Sequence, residues 1–418
     1  MTLEQQPFAP RAARPTSSRP IRVLMLSHGC QSRTEGQPKA VLLGKMPDID
    51  LRVLTPDRWK DYGRWRVPEE PVERTFDLRR SKVRLPWLGP AQSYLHYYPG
   101  LADQVREFQP DVINVWEEPW SLVSAHAIRV RNAVLPTAKV IVETEQNIYK
   151  RLPAPFRQIR QYVLKNTDAM VGRSRESIEV LRRLGYTGPA ELVPNAVDTG
   201  LFRPMDRSQC RSLIARESGI DPGERFVVGF VGRIVAEKGV TDLIEAIIRC
   251  PPDVILLMVG SGNLEAEVRR TAVQNGLGDR VILLPSRPQE GLPPTFGAMD
   301  VLAVPSRTTN RWKEQFGRVI IEAHACRLPV IGSSSGAIAD VIGGGGVVFL
   351  ERSVADLTEA IIAFRNDPVK RTECAGTGLA QIARSYTWDA ISEQMRALYY
   401  ASSGGSMAWP LTKTAPNP

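Results

Sequence analysis

Short apolar runs alternating with longer amphipathic stretches set the strongest limit on how this chain can fold. In the first half the runs are Ile21–Leu26, Leu51–Thr55, Asp111–Trp116, Lys139–Glu143, Ala169–Val171 and Ala190–Val193. After a break they resume at Phe226–Val231, Val254–Val259, Val281–Leu284, Val301–Pro305, Pro329–Gly332 and Val347–Phe349. Runs this short and this uniformly apolar suit strands buried on both faces. Helical patterns between them, such as Ser121–Arg131, Ser174–Leu184, Val240–Arg249 and Leu264–Asn275, supply the crossovers of parallel pairs. The spacing therefore predicts an α/β protein of two Rossmann-like, doubly wound parallel-sheet domains facing across a cleft. A more polar strand is expected at Val72–Leu78, one helix over Tyr94–Phe108, and three helices at the C-terminal end.

The domain reading follows the texture of the chain. Residues 1–20 read as a disordered arm, 21–199 as the first domain and 200–225 as a hinge. Residues 226–385 read as the second domain, 386–400 as a helix packing back on the first, and 401–418 as a disordered tail. At 418 residues two or three domains are expected. No apolar run approaches the roughly 20 residues of a membrane span, and the N-terminal residues show no apolar signal core. Five scattered cysteines without a C-x-x-C pair point to a reduced, cytoplasmic protein lacking disulfides and structural zinc.

The formal net charge is +9, and part of it is local. Between Lys150 and Arg183, nine Lys/Arg face three Asp/Glu, with Arg157, Arg160 and Lys165 spaced along one amphipathic helix. Such a face suits an anionic membrane leaflet, and Trp59, Trp65 and Trp87 are the aromatics expected at the surface. Peripheral contact at the inner face of a cell membrane is one expectation. A solvated helix face is the other.

Three stretches carry candidate chemistry. Gly232-Arg233-Ile234-Val235-Ala236-Glu237-Lys238-Gly239 leaves a strand and enters a helix, which places two cations where a diphosphate binds helix amides. It is not a G-x-x-x-x-G-K-[ST] loop. Gly260-Ser261-Gly262 and Ser333-Ser334-Ser335-Gly336 are small-residue loops expected at the same sheet edge. Glu314-Gln315-Phe316-Gly317-Arg318-Val319-Ile320-Ile321-Glu322 puts one carboxylate ahead of a helix and a second, eight residues on, about two turns in. A solvated cap glutamate and a polar-face glutamate would give the same spacing. None of the four histidines has a metal-ligand spacing, and no metal site is expected; His28 ends the first strand, at the functional edge.

Gly232-Arg233 with Lys238-Gly239, then Glu314-x7-Glu322, preceded by Pro194-Asn195-x-Val197-Asp198-x3-Phe202-x-Pro204, resembles the retaining glycosyltransferases of family 4, which have the GT-B fold. The resemblance implies a UDP- or GDP-linked sugar as donor and a sugar, lipid-linked or other hydroxyl acceptor. It implies no cofactor, no metal and no nucleic-acid partner. Arg233 and Lys238 would neutralise the donor diphosphate, and Glu314 would meet hydroxyls of the donor sugar. Phe316 and Gly317 would offer amides, and Glu322 would take the ribose hydroxyls. Gly232, Gly262, Arg318 and Val319 would complete the donor site. Retention in this family is assigned to a same-face mechanism in which the departing phosphate oxygen helps to deprotonate the acceptor. The first domain departs from the family pattern: Ser27-His28-Gly29-Cys30-Gln31 stands where many members have a Gly-Gly loop. Glu143-Thr144-Glu145-Gln146-Asn147 stands where many have a histidine. His28, Gln146 and Asn147 are the candidates there. A GT-B sugar-nucleotide epimerase and a non-catalytic basic binding module are the alternatives.

Overall fold

The computed structural model describes residues 19–61, 64–85 and 92–404. Fifteen strands and fifteen α-helices follow one another among these residues. In the first half they are β1 (Ile21–Leu26), α1 (Gln37–Lys45), β2 (Ile49–Pro56), β3 (Trp59–Asp61), β4 (Arg64–Arg66), β5 (Asp77–Ser81), α2 (Gln92–Leu95), α3 (Leu101–Phe108), β6 (Val112–Val115), α4 (Leu122–Val134), β7 (Lys139–Thr144), α5 (Ala154–Asn166), β8 (Ala169–Gly172), α6 (Arg175–Arg183) and β9 (Ala190–Leu192). The second half runs α7 (Arg207–Ser218), β10 (Phe226–Val231), α8 (Val240–Arg249), β11 (Val254–Val259), α9 (Glu265–Gln274), β12 (Val281–Leu284), α10 (Pro293–Gly297), β13 (Val301–Val304), α11 (Arg318–Ala325), β14 (Val330–Ser333), α12 (Ile338–Ile342) and β15 (Gly346–Phe349). Helices α13 (Val354–Asn366), α14 (Pro368–Ser385) and α15 (Trp388–Ser402) close the chain.

Two parallel sheets result. The first has the order β5-β2-β1-β6-β7-β8-β9 and the second β12-β11-β10-β13-β14-β15. The second reproduces the 3-2-1-4-5-6 order of a doubly wound dinucleotide-type sheet, in which the winding direction reverses between its first and fourth strands. Here that reversal falls between β10 and β13, which pair in parallel at Val228↔Val301 and Gly229↔Leu302. The first sheet reverses in the same way between β1 and β6.

The residues account for these elements. Strand β10 sends Phe226, Val228 and Phe230 to one core and Val227 to the other, so both faces are apolar and alternation is hidden. Edge strand β5 pairs only with β2, so it tolerates the sequence DLRRS. This corrects the strand expected at Val72–Leu78: Val72 is 81% exposed, and the pairing begins at Asp77. The helix expected over Tyr94–Phe108 is two pieces, because Pro99-Gly100 interrupts it and Tyr97 bridges to Arg84 instead.

The chain divides into two compact units. One comprises the residues up to Val142, Asn166–Ala169 and the stretch from Glu393; the other comprises Glu143–Lys165 and Met170–Ser392. Within the first, the last helix is tied down by Arg396 Nε to Asp48 (2.8 Å) and by Tyr399 Oη to Asn114 Oδ1 (2.7 Å). Within the second, residues 200–225 carry α7, capped by Asp206, and Phe202, Cys210 and Ile214 are buried in the same core as Phe296 and Ile320. The expected arm, save Arg19 and Pro20, and most of the tail lie outside the described residues, as does Trp87; α15 continues to Ser402. Trp65 is exposed, but Trp59 is buried, which corrects its placement at the surface. No helix among the described residues is long and apolar enough to cross a membrane.

Candidate functional site

The winding reversal of the second sheet concentrates the predicted residues. The loop after β10 carries Gly232 to Gly239, and the loop after β13 carries Ser306 to Gly317. Ligands of open α/β sheets bind outside the strand carboxyl ends at such a point. There Lys238 Nζ lies 2.6 Å from Glu314 Oε2, and Ser306 Oγ donates to the same oxygen at 2.9 Å. The Trp312 ring faces the ammonium, with its centroid 4.9 Å from Nζ.

The Lys238 loop is held from several sides. A 3-10 turn, Ala236–Lys238, delivers the chain into α8. Arg307 N–H donates to the Glu237 carbonyl at 2.8 Å, and the Arg307 guanidinium forms an ion pair with Asp242 in the first turn of α8. Gly262 lies where a Cβ would come within 2.1 Å of the Ile234 carbonyl oxygen, so the loops after β10 and β11 are in backbone contact. Leu264 N–H donates to that carbonyl at 3.1 Å.

Glu314 sits three residues ahead of Gly317, the N-cap of α11, where φ of +81° suits glycine. Its side chain is buried against Lys238 rather than solvated. Phe316 is also buried, its ring packed edge-on against Tyr386 with centroids 5.9 Å apart. Arg318 and Val319 open the helix half-buried. Glu322 is the fifth helical residue, so it lies little more than one turn in, not two. Burial pushes its carboxyl above the usual range, opposed by the charge of Arg318 and a 3.4 Å hydrogen bond from Gln289 Nε2. Arg233 is exposed and pairs with Glu237 on its own turn at 3.3 Å.

The loop after β7 also reaches Glu314. Asn147 Nδ2 donates to the Glu314 carbonyl at 2.8 Å and to Glu176 Oε2 at 3.0 Å. Gln146, its neighbour, folds back on its own turn: its Oε1 accepts from Ile148 N–H at 3.1 Å. In the first unit, His28 lies after β1 and Glu117 after β6, at the reversal of that sheet. His28 Nδ1 is 2.5 Å from Glu117 Oε1, its main-chain N–H donates to the same oxygen at 3.0 Å, and its ring stacks on Trp59. Burial works to raise the Glu117 carboxyl, but His28 and His96 beside it hold it below the usual range.

The basic segment is smaller than its count suggests. Arg160 is buried and donates to the Lys150 carbonyl at 3.1 Å, which corrects its placement on the basic face. Arg173 is buried in an ion pair with Glu143. Lys150, Arg151, Arg157 and Lys165 remain exposed. Among the described residues no group of three His, Cys, Asp or Glu side chains is arranged to hold a metal ion.

Two family models match the chain, "Glycosyltransferase Family 4" over residues 48–201 and "Glycosyl transferases group 1" over residues 213–379. The chain belongs to glycosyltransferase family 4. Among curated relatives of this family 4 member is a D-inositol 3-phosphate glycosyltransferase of Segniliparus rotundus. It is 32% identical over 62% of this chain and 58% of the relative. A GDP-mannose-dependent monoacylated alpha-(1-6)-phosphatidylinositol monomannoside mannosyltransferase of Corynebacterium glutamicum is 28% identical over 71% of this chain and 77% of the relative. The chain thus spans less than two thirds of the first of these. Solved structures show the same GT-B fold. Sucrose-phosphate synthase from Thermosynechococcus elongatus has a TM-score of 0.68 at 20% identity, over 91% of this chain and 98% of that one. Anabaena HepE in complex with UDP has a TM-score of 0.67 at 17% identity, over 91% of this chain and all of that one.

Ser306, Glu176, Lys313 and Trp312 join the site without having been singled out in the sequence. Ser306 carried a signal: it is the first residue after Pro305 at the end of β13, on the functional edge.

Proposed function

We propose that this family 4 glycosyltransferase moves a sugar from a UDP- or GDP-linked donor to a hydroxyl acceptor with retention, in the synthesis of a glycan, glycolipid or cell-surface polysaccharide. The observation that carries the reading is the Lys238–Glu314–Ser306 contact at the winding reversal. It sets a cation and a sugar-binding carboxylate side by side, ahead of the helix that bears Glu322. In the reaction the bond from the anomeric carbon to the departing phosphate oxygen breaks, and the acceptor oxygen bonds to the same face. The acceptor proton passes to the departing phosphate oxygen. Charge gathers on the diphosphate as the bond breaks, and in this reading Lys238 and Arg233 balance it. Glu314 and Glu322 position hydroxyls; neither serves as general acid. The relatives support both donor types: one acts with GDP-mannose by name, and HepE structures contain UDP and UDP-glucose.

The first test is a thermal-shift screen against UDP- and GDP-linked sugars, followed by turnover and NMR of the product anomer. One donor class should raise the melting midpoint by mass action, and the product should keep the donor configuration. No shift with any nucleotide-sugar sinks the proposal. Conversion of the donor without an acceptor would favour the epimerase.

Glu322 gives a second test because its two effects have opposite signs. Its carboxylate is buried at a cost, so Glu322→Gln should leave the ligand-free protein as stable or raise its midpoint by about 2 °C. Donor affinity should fall roughly tenfold, since Gln replaces a charged acceptor of paired hydroxyls by a neutral amide. A variant that melts several degrees lower and binds donor normally would show Glu322 to be a structural group instead.

A further inference from the structure

Glu314 is held through its main chain as well as its carboxylate. Its carbonyl accepts from Asn147 Nδ2 at 2.8 Å and from Ala337 N–H at 3.2 Å. Gly336 closes the other side, since a Cβ there would lie 2.0 Å from that oxygen. Asn147 Nδ2 also donates to Glu176 Oε2, and Glu176 Oε1 forms an ion pair with Lys313, the residue before Glu314. Both neighbours of Nδ2 are acceptors, so the carboxamide can be placed only one way round. Its Oδ1 therefore points away, buried and without a hydrogen-bond partner among the described residues.

The base of this arrangement is firm. Glu176 lies in the first turn of α6, where the helix dipole favours a carboxylate. That helix starts with a capping box in which Ser174 and Ser177 exchange hydrogen bonds. One carboxylate on a fixed helix end thus holds two consecutive residues of the Glu314 loop. It holds Lys313 by charge, and Glu314 by way of Asn147.

We infer that Asn147 and Glu176 are positioning residues for the sugar-facing glutamate: together they set the main chain of residues 313–314 so that the Glu314 carboxylate meets Lys238 and Ser306. This inference rests on the donor-site reading above. Glu176 has an electrostatic part as well. It neutralises Lys313, which leaves Lys238 as the cation that the Glu314 carboxylate contacts. Without Glu176 the Lys313 ammonium, next to Glu314 in the chain, competes for that carboxylate.

The experiment compares a nucleoside diphosphate with its sugar conjugate, because the positioned group faces the sugar. Calorimetric titrations use UDP against UDP-glucose and GDP against GDP-mannose, taking the pair that binds the unmodified protein. Glu176→Ala should bind the bare nucleoside diphosphate within about twofold of the unmodified protein, which also shows that the site is folded. It should bind the sugar conjugate at least tenfold more weakly. Glu176→Gln keeps an acceptor for Asn147 but not the charge that neutralises Lys313, and should recover part of that loss. Asn147→Asp sets an acceptor against the Glu314 carbonyl and should reproduce it. Equal weakening of both ligands, or normal binding of the conjugate by Glu176→Ala, overturns the inference while leaving the donor site standing. If neither pair binds the unmodified protein, the donor-site reading falls and this one falls with it.

Discussion

Lys238→Ala is expected to lower turnover of the nucleotide-sugar by about a hundred- to a thousandfold in a protein that still folds. Lys238 is tied to Glu314 at 2.6 Å, with its side chain 22% exposed. In the proposed reaction a cation held in this way is oriented before the diphosphate binds, and it would balance charge that grows as the glycosidic bond breaks. Interactions of that kind, stronger in the transition state than in the ground state, appear in kcat more than in KM. Arg233 cannot replace it, because it is exposed and turned to Glu237. Removing Lys238 also leaves the buried Glu314 carboxylate with one fewer partner. Lys238→Arg should recover only part of the activity, since a planar fork does not fit where a compact ammonium contacts one carboxylate oxygen. The measurement is steady-state turnover with a saturating acceptor, beside a thermal melt of each variant. Activity of Lys238→Ala within tenfold of the unmodified enzyme would remove Lys238 from the chemistry.

Much of this site was legible because the features that build it are local. Strands β10, β11 and β12 lie where the apolar runs put them, since burial on both faces leaves no room for polar residues. The loops that follow β10 and β13 inherit their positions from the sheet order, so Lys238 and Glu314 meet although 76 residues separate them. The Asn147 contact was not legible in the same way. It spans 167 residues and ends on a main-chain carbonyl, which any residue at position 314 would offer. His28 and Glu117, 89 residues apart, are a similar case: each ends a strand, and only the pairing of β1 with β6 brings them together. Arg160 failed for the opposite reason. Its spacing suggested a solvent face, but a long aliphatic stem lets a guanidinium turn in toward a carbonyl. Spacing along a helix fixes the direction of Cβ, not the destination of a flexible head group.

Acid should destabilise the protein through His324, on the far side of the helix that carries Glu322. Two helical steps are about 200°, so the two side chains leave α11 in nearly opposite directions. His324 is buried against Gly345 and Gly378, where a Cβ on either glycine would come within 2.8 Å of the ring. Its Nε2 lies 3.2 Å from the Gly345 carbonyl and donates to it, which leaves Nδ1 as a buried acceptor without a partner among the described residues. Protonation would put an N–H at Nδ1 with nothing to receive it. Burial accordingly holds the imidazole down to about 4, from an ordinary value of 6.5, although the bond to Gly345 acts the other way. The unfolded chain takes up this proton near pH 6.5 and the folded chain only near pH 4, so stability falls as pH drops through that window and is constant above it. The full contribution is on the order of 3 kcal/mol, of which roughly 2 kcal/mol is lost by pH 5. Glu322 works in the opposite sense. Its raised carboxyl favours folding at low pH, and that contribution fades as pH rises through its folded value. Acid loss therefore belongs to the packed side of α11 rather than to its site side. Urea unfolding at pH 7 and pH 5 separates them. His324→Gln keeps a donor for the Gly345 carbonyl and carries no titrating group, so it should lose about 2 kcal/mol less than the unmodified protein between those two pH values. Equal losses in the two proteins would mean that the histidine does not set the acid limit of this helix.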